Sequence, residues 1–222
     1  LATNKPIYVL KVDAQVDMKK DTLNEILLSV ANLLEANNDT YIDNVPITKT
    51  EPFTFTGDES TKRSFITNYL PYDDQEHKEI LYGYSAEQLM DYMRNDVFAI
   101  SKTISNEDAR KIIAMRLEMY QTAYQKYKKI TIAENISSET LAAIEENKEK
   151  YPSIMAEVES QRYYVYGKEF GNVLGYTRKI TASQYETMKE QGYDQDDVIG
   201  QGGVESTMEQ ELRGEKGKKV IE

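Results

Sequence analysis

Side chains that commonly perform nucleophilic or acid–base chemistry are scarce in this chain of 222 residues. It has no cysteine, which excludes a thiolate nucleophile, a disulfide framework and a zinc–thiolate site. Its only histidine, His77, lies in the polar run DDQEHKE, which predicts an exposed, charged loop. Such a loop holds a catalytic base poorly, and a single histidine excludes a metal site made of several histidines.

Carboxylates are abundant, with 38 aspartates and glutamates, so chance pairs are expected. Asp194, Asp196 and Glu205 fall at positions 1, 3 and 12 of a calcium-binding loop pattern. Ile199 occupies position 6, where the turn requires glycine, so helix capping by the aspartates is the better interpretation. No two acids stand in a recognisable glycosidase frame, yet a hydrolase with a carboxylate pair stays open as an alternative.

A run of residues from Gln161 to Ile180 combines Arg162 with four tyrosines and three glycines. Dense glycine indicates sharp turns or the close approach of another backbone segment. Tyrosines offer large apolar faces whose hydroxyls need partners, and Arg162 needs a carboxylate or carbonyl groups because it stays charged. Taken alone, the run predicts a strand, a turn and a second strand with an aromatic face.

The segment Gly200–Gly217 predicts a glycine-rich lead-in, a short amphipathic helix and a glycine stop. Together the two segments resemble the N-terminal, non-catalytic region of class B penicillin-binding proteins, called the dimerisation or pedestal domain. The matching residues of the first motif are Arg162, Tyr164, Gly167, Gly175 and Tyr176, and those of the second are Gly200, Gly203, Glu205, Leu212, Gly214 and Gly217. A large insertion makes the chain most similar to the elongation-type, penicillin-binding protein 2-like subgroup, while a division- or sporulation-type relative stays open.

The resemblance implies a parent enzyme that cross-links peptidoglycan and whose transpeptidase domain acts through S-x-x-K, S-x-N and K-T-G motifs. None of the three occurs in this sequence, and the nearest run, Ser60–Arg63, ends in arginine where lysine is required. We therefore expect no catalytic residue and no cofactor in this chain. Its expected function is to position the transpeptidase and to contact partners in cell-wall synthesis.

A specific hypothesis joins Arg162 of the first motif to Glu205 of the second. Glu205 stands in the predicted first helical turn, where the helix dipole favours a negative charge. A bidentate ion pair would tie the tyrosine-rich strand to the glycine-led helix and set the angle towards the catalytic domain. The alternative is a solvent-exposed pair that contributes less than about 1 kcal/mol.

Hydrophobic periodicity and turn residues predict an α+β fold. Apolar residues at helical spacing predict a helix through Leu23–Leu34. Capping patterns predict helix starts at Ser85 with Gln88, at Ser137 or Ser138, and at Thr181 with Gln184, and the last of these helices is expected to end at a left-handed Gly192.

Strands are expected in one twisted sheet near residues 6–13, 128–134, 154–166 and 173–180, with helices packed on it. A charged block rich in tyrosine and methionine, residues 53–127, is expected to form a separate, mainly helical head lobe. The pedestal base then comprises residues 1–52 and 128–222.

The formal net charge of -11 and the sequence pI of about 4.8 argue against binding to nucleic acid or to an anionic membrane surface. No window approaches the roughly 18 apolar residues of a membrane-spanning helix, and no signal peptide is recognisable. The chain begins at Leu1 without methionine. We therefore interpret it as a piece of a longer protein. The resemblance implies that the parent is membrane-anchored and that this piece, soluble by itself, lies on the extracytoplasmic face of a bacterial membrane.

By resemblance, the expected partners are the chain's own transpeptidase domain, a SEDS-family glycosyltransferase, other morphogenesis proteins and a second copy of the chain. The candidate partner surface comprises Tyr82, Tyr84, Met90 and Tyr92, because tyrosine and methionine are enriched at interfaces. Core packing explains the same residues equally well. Two alternatives from other classes stay open: an acidic extracellular glycan or peptide hydrolase, and a stand-alone adhesion or solute-binding domain with a closed pocket.

Overall fold

The computed structural model describes residues 2–13, 19–72, 74–121, 129–180, 182–194 and 197–214. Helices and short strands are mixed along the chain, which confirms the predicted α+β class. Two compact units are present. The larger lies within residues 6–159, and the smaller lies within residues 1–5 and 160–222.

The strands in the described ranges are β1 (Ala2–Val12), β2 (Ile130–Glu134), β3 (Ile154–Tyr164), β4 (Thr177–Lys179) and β5 (Val198–Gly200). Three of them form a sheet in the order β2-β1-β3, in which β1 and β2 are antiparallel. β4 pairs with β5 in a separate antiparallel ribbon. The strand predicted at 173–180 was therefore wrong in two respects: it is shorter, since Val173 and Leu174 are helical, and it does not join the larger sheet.

The helices in the described ranges are α1 (Lys20–Ala36), α2 (Glu59–Tyr69), α3 (Gln75–Tyr82), α4 (Ala86–Tyr92), α5 (Asn106–Gln121), α6 (Ser138–Glu146), α7 (Gly167–Leu174), α8 (Ala182–Met188), α9 (Gly203–Thr207) and α10 (Glu209–Leu212). A π-helical turn, Met93–Val97, follows α4, and a 3-10 turn, Lys189–Gln191, follows α8. The helix predicted after Gly200 is divided at Met208. In none of these helices are length and apolar character sufficient to cross a lipid bilayer.

His77 lies inside α3, so the predicted charged loop was wrong at this position. Asp74 caps the helix start, because its Oδ1 accepts a hydrogen bond from His77 N at 2.8 Å. The imidazole ring packs edge-on against Tyr92, with 5.6 Å between the ring centroids. His77 is thus part of the packing between α3 and α4.

One hydrophobic core runs through the larger unit. Leu27, Val30 and Leu34 of α1 are fully buried at the helical spacing that the sequence predicted. α5 packs against α1 and β2, and its Ile112 and Ile113 join the same cluster. Each such buried side chain contributes about 1.5–3 kcal/mol. The helices from α2 to α5 therefore share a core with α1, whereas the sequence predicted a separate lobe bounded at residues 53 and 127.

Polar caps define the starts of two helices in this unit. Ser85 and Gln88 form the predicted capping box of α4, with Gln88 N donating to Ser85 Oγ at 3.2 Å. Ser137 caps α6 by accepting a hydrogen bond from Thr140 N. The Asp39 carboxylate accepts hydrogen bonds from Ser137 N and Oγ and from Thr140 Oγ1. Burial acts to raise the pKa of Asp39, but these hydrogen bonds outweigh it and lower the pKa.

The smaller unit has a much smaller core. Ile180, Tyr193 and Ile199 are buried, and side chains of α8 pack against them. Gly192, with φ of 82°, ends the 3-10 turn in the left-handed conformation that the sequence predicted. Thr181, predicted to cap α8, lies outside the described residues. So few buried side chains stabilise a unit weakly, which makes its backbone contacts and ion pairs more important.

Candidate functional site

The two glycine-bearing motifs meet inside the smaller unit. A Cβ atom on Gly175 would lie 1.7 Å from the carbonyl oxygen of Gly202. A Cβ atom on Gly203 would lie 2.3 Å from the carbonyl oxygen of Val173. Both glycines also have positive φ, 79° for Gly175 and 55° for Gly203. Only glycine fits these positions, and the prediction that the two segments fold together is confirmed.

Gly200 makes a third close backbone contact. A Cβ atom there would lie 2.2 Å from the carbonyl oxygen of Glu205. Gly200 N donates to Glu209 Oε2 at 2.7 Å, and the Tyr193 hydroxyl donates to Glu209 Oε1 at 3.3 Å. Burial raises the pKa of Tyr193, and the negative charge of Glu209 adds to this effect. Sequence reasoning missed Glu209, although its spacing of one helical turn from Glu205 was an available signal.

The predicted contact between Arg162 and Glu205 is present. Arg162 Nε donates to Glu205 Oε1 at 2.9 Å, which links β3 to the first turn of α9. The Glu205 side chain is 6 % exposed and that of Arg162 is 22 % exposed, so the ion pair is largely shielded from water. The predicted bidentate geometry was wrong, because Arg162 Nη1 donates instead to Asn4 Oδ1 at 3.4 Å. Arg162 therefore connects α9 with both β3 and β1.

Tyr164 places a buried hydroxyl near this ion pair. No hydrogen-bond partner of that hydroxyl is found within the described part of the chain. Burial raises the pKa of the Tyr164 hydroxyl, and the charge of Glu205 raises it further. Tyr164 thus stays neutral, and Arg162 is the group that compensates the Glu205 charge.

Arg213, which follows α10, is a second arginine that the sequence did not indicate. Its guanidinium carbon lies 3.7 Å from the centroid of the Tyr193 ring, a cation–π contact. Arg213 Nη1 donates to the carbonyl oxygen of Gln191 at 3.1 Å, and Nη2 lies 3.7 Å from Asp197 Oδ2. These partners precede Arg213 by many residues, so no local spacing could have predicted them.

The remaining motif residues make fewer contacts. Gly167 is the first residue of α7, where the sequence predicted a turn between two strands. Gly214 has a φ of 66°, which suits the predicted glycine stop. Tyr176 and Leu212 are 57 % and 42 % exposed. Gly217 lies outside the described residues.

Comparison with known proteins decides the family. The model of the penicillin-binding protein dimerisation domain matches residues 1–222. The chain belongs to this family. The peptidoglycan D,D-transpeptidase MrdA of Acinetobacter baumannii is 30 % identical over 98 residues, which cover 44 % of this chain and 15 % of that protein. The predicted resemblance to the non-catalytic region of penicillin-binding protein 2-like enzymes is confirmed, and the chain matches only a small part of its curated relative.

A solved structure has the same fold. Penicillin-binding protein 2B of Streptococcus pneumoniae (strain 5204) superposes with a TM-score of 0.52 at 16 % identity, covering 95 % of this chain and 31 % of that chain. A complex between penicillin-binding protein 2 and MreC from Helicobacter pylori matches with a TM-score of 0.44 at 15 % identity, covering 92 % of this chain and 24 % of that chain. The similarity to the Streptococcus protein shows a shared fold.

A cleft of about 330 Å³ opens beside the motif residues of this dimerisation domain. Arg162, Glu205, Glu209 and Arg213 contribute to its lining, and each is engaged in the contacts described above. The cleft contains neither histidine nor cysteine. Within the described ranges, no group of three acids or histidines is placed to hold a metal ion. The arrangement serves to hold backbone segments together.

The predicted partner surface of the dimerisation domain is more buried than a free surface would be. Met90 is 4 % exposed and belongs to the core of the larger unit. Tyr82, Tyr84 and Tyr92 are half-buried and pack against that core. The hydroxyls of Tyr82 and Tyr92 are hydrogen-bonded within the same unit. The expected exposure of Met90 was therefore wrong, while partner binding by the tyrosines stays a prediction.

Proposed function

We propose that this chain is the non-catalytic pedestal of an elongation-type class B penicillin-binding protein and that it positions the transpeptidase domain of the same protein. The observation that carries the proposal is the joint between the two motifs. This joint, defined as the backbone contacts of Gly175 and Gly203 together with the Arg162–Glu205 ion pair, combines close packing with a shielded charge pair. Such a joint resists bending, as a mount for an enzyme must.

The pedestal acts through geometry. Gly175 and Gly203 leave no gap between the strand and helix segments, and Arg162 ties α9 to two strands. A partner that binds one orientation of the pedestal better than another shifts the population towards that orientation, because a ligand moves an equilibrium only by its differential affinity. A rigid joint then transmits the orientation to the transpeptidase.

Direct catalysis by the chain is disfavoured by the state of its carboxylates. A glycan hydrolase needs two carboxyl groups that flank the scissile bond. In the cleft of the smaller unit, Glu205 is compensated by Arg162, and Glu209 accepts hydrogen bonds from Gly200 N and the Tyr193 hydroxyl. These acids are structural, which supports the pedestal over the hydrolase alternative.

We also propose a cellular location and binding partners for the pedestal. The pedestal would stand on the extracytoplasmic face of the bacterial membrane, with its parent membrane-anchored. It would contact a SEDS-family glycosyltransferase, an MreC-like morphogenesis protein or a second copy of itself. Tyr82, Tyr84 and Tyr92 are the proposed contact residues, since each keeps part of its ring accessible.

The decisive experiment changes the joint in the full-length protein that carries this domain. We expect Arg162→Met to leave acylation by a fluorescent penicillin unchanged, because the nucleophile lies in another domain. Peptide cross-linking in a reconstituted reaction with the polymerase partner should fall about tenfold, since misplacing the reacting groups slightly costs one to two orders of magnitude. Lys168→Met, which removes an exposed positive charge from the same unit, is the control. Unchanged cross-linking by Arg162→Met, or acylation of the 222-residue chain alone, would refute the pedestal function.

A further inference from the structure

A second cleft, of about 480 Å³, runs along one face of α1 in the larger unit. Its α1 side includes Asp21, Asn24, Glu25 and Leu28, which are neighbours because residues three and four apart share a helix face. The opposite side is formed by the loop that precedes α5 and includes Ile104. Neither the family motifs nor the proposed pedestal function uses these residues.

Asn24 carries an unsatisfied acceptor in this cleft. Its residue exposure is only 1 %, and no donor among the described residues reaches its Oδ1 atom. Asn24 Nδ2 donates to the carbonyl oxygen of Phe98 at 3.5 Å, which fixes the amide with its oxygen as the free group. A buried amide oxygen without a donor is unfavourable, so a ligand that supplies a donor gains affinity at this point.

The charge of the cleft selects the kind of donor. Asp21 and Glu25 are exposed at its mouth, and none of the described residues that line it is basic. The opposite wall is held in place, because Arg94 Nη2 donates to the carbonyl oxygens of Ser101 and Ile104 at 2.7 and 2.6 Å. Two carboxylates and an amide oxygen on a fixed framework favour a cationic group with several N–H donors.

The same helix already holds one ammonium group in this way. Lys111 Nζ contacts Asn32 Oδ1 at 3.0 Å and Glu35 Oε2 at 2.9 Å, and it lies 3.3 Å from Asp108 Oδ1. Burial acts to lower the pKa of Lys111, but the hydrogen bonds to Glu35 and Asp108 outweigh it and raise the pKa. Asn32 lines the same cleft about two turns of α1 after Asn24, so an ammonium group of the chain itself already contacts the lining. An asparagine oxygen with neighbouring carboxylates therefore already binds an ammonium group on this helix.

We propose that the α1 cleft binds an alkylammonium group, namely the side chain of a lysine from a polypeptide partner. The ammonium lies between Asp21 and Glu25, and rotation of the Asn24 side chain on binding brings Oδ1, which is buried in the free chain, to accept one of its hydrogen bonds. The methylene stem packs on Leu28 and Ile104, because a lysine stem is apolar although its head is charged. The three N–H donors of the ammonium match the three acceptor groups. This inference does not depend on the pedestal function.

The test uses the intact chain and small probes whose binding is followed by shifts of backbone amide signals. Nα-acetyl-lysine-N-methylamide should perturb α1 and the loop before α5 with a dissociation constant of about 1 mM, as befits a single side chain. The norleucine analogue, which has the same stem without the charge, should leave these signals unchanged. Cadaverine should bind no more tightly than the lysine derivative, and tighter binding would assign the cleft to a free diamine.

Matched variants separate the cleft from general electrostatics. Glu25→Gln and Asn24→Leu should each weaken binding of the lysine derivative about tenfold, the loss expected of one hydrogen bond to a charged donor. Glu146→Gln, which removes an exposed acid on α6, should leave it unchanged. Because Glu25 is exposed, its variant folds even if Asn24→Leu does not. Equal binding of the norleucine analogue, equal affinity in Glu25→Gln, or shifts confined to other residues would overturn the proposal.

Discussion

Glu205 and Glu209 show how individual charges are used in the smaller unit. Glu205 is almost fully enclosed, and Arg162 compensates it, whereas Glu209 accepts a backbone N–H and a tyrosine hydroxyl. A carboxylate taken out of water is tolerated only with such partners, because its desolvation costs several kcal/mol. The contacts of Glu205 and Glu209 are therefore structural, and they fix where β3, β5 and α9 meet.

Asp39 gives a pH prediction at the same scale. Its pKa is lowered in the folded protein, so its hydrogen bonds to Ser137 and Thr140 stabilise the fold above its ordinary pKa of 3.8. This contribution is lost as the pH falls through the lower, folded-state pKa. We expect Asp39→Asn to reduce the free energy of unfolding by about 2 kcal/mol at pH 7, the contribution of hydrogen bonds to a charged acceptor. Urea unfolding at several pH values measures it.

The control for this prediction is Glu146→Gln, which removes an exposed acid of α6 in the same unit and should leave the free energy of unfolding nearly unchanged at each pH. A difference between Asp39→Asn and the unchanged protein that fails to shrink as the pH falls below 3.8 would contradict the assignment, because a protonated aspartate can no longer act as a charged acceptor.

The glycines of the joint make a prediction at the scale of elements. Gly175→Ala would place a methyl group 1.7 Å from Gly202 O, so β4 and α9 must separate. We expect a loss of more than about 3 kcal/mol, visible as lost protection of amides in β4 and β5 by hydrogen exchange. Gly171→Ala is the matched control, since nothing lies within 4 Å of its added Cβ, and it should stabilise α7 by up to about 1 kcal/mol. Equal effects of the two changes would refute the close approach.

Elements were predictable where one local signal dominated. The apolar stripe of α1, the Ser85 capping box of α4 and the Ser137 cap of α6 each follow from residues within two turns of one another. The dense glycines of the segment from Gly167 to Leu174 predict turn and strand. This segment is helical because α7 packs against α9, a contact between distant residues that local pattern does not contain.

The joint between the two motifs was predictable only in part, because it too depends on contacts between residues that are distant in sequence. Arg162 and Glu205 stood out because each lies in a motif and carries an opposite charge. Tyr193 and Arg213 did not stand out in the sequence. Their contact depends on the turn after α8, which places Gly192 beside Arg213. The domain boundaries differ for the same cause: side chains of α2 to α5 look charged in sequence, yet their buried faces complete the core on α1.

Across the whole molecule, the two units differ in what stabilises them. The larger unit buries apolar side chains from β1, α1, α5 and β2 in one cluster, whereas the core cluster of the smaller unit has three buried side chains among the described residues and the unit relies on its joint. Free energies of local opening scale with buried apolar surface, so the units should open separately.

Native-state hydrogen exchange tests this expectation on the intact chain. The free energy of the opening that exposes amides of α1 and α5 should exceed that for amides of β4 and β5 by at least about 2 kcal/mol. Burial of even one further large side chain contributes that much. Low concentrations of urea should then accelerate exchange in the smaller unit first. Arg162→Met should increase the difference in opening free energy between the two units, because it weakens only the smaller one. Identical opening energies would mean that the chain unfolds as one cooperative body.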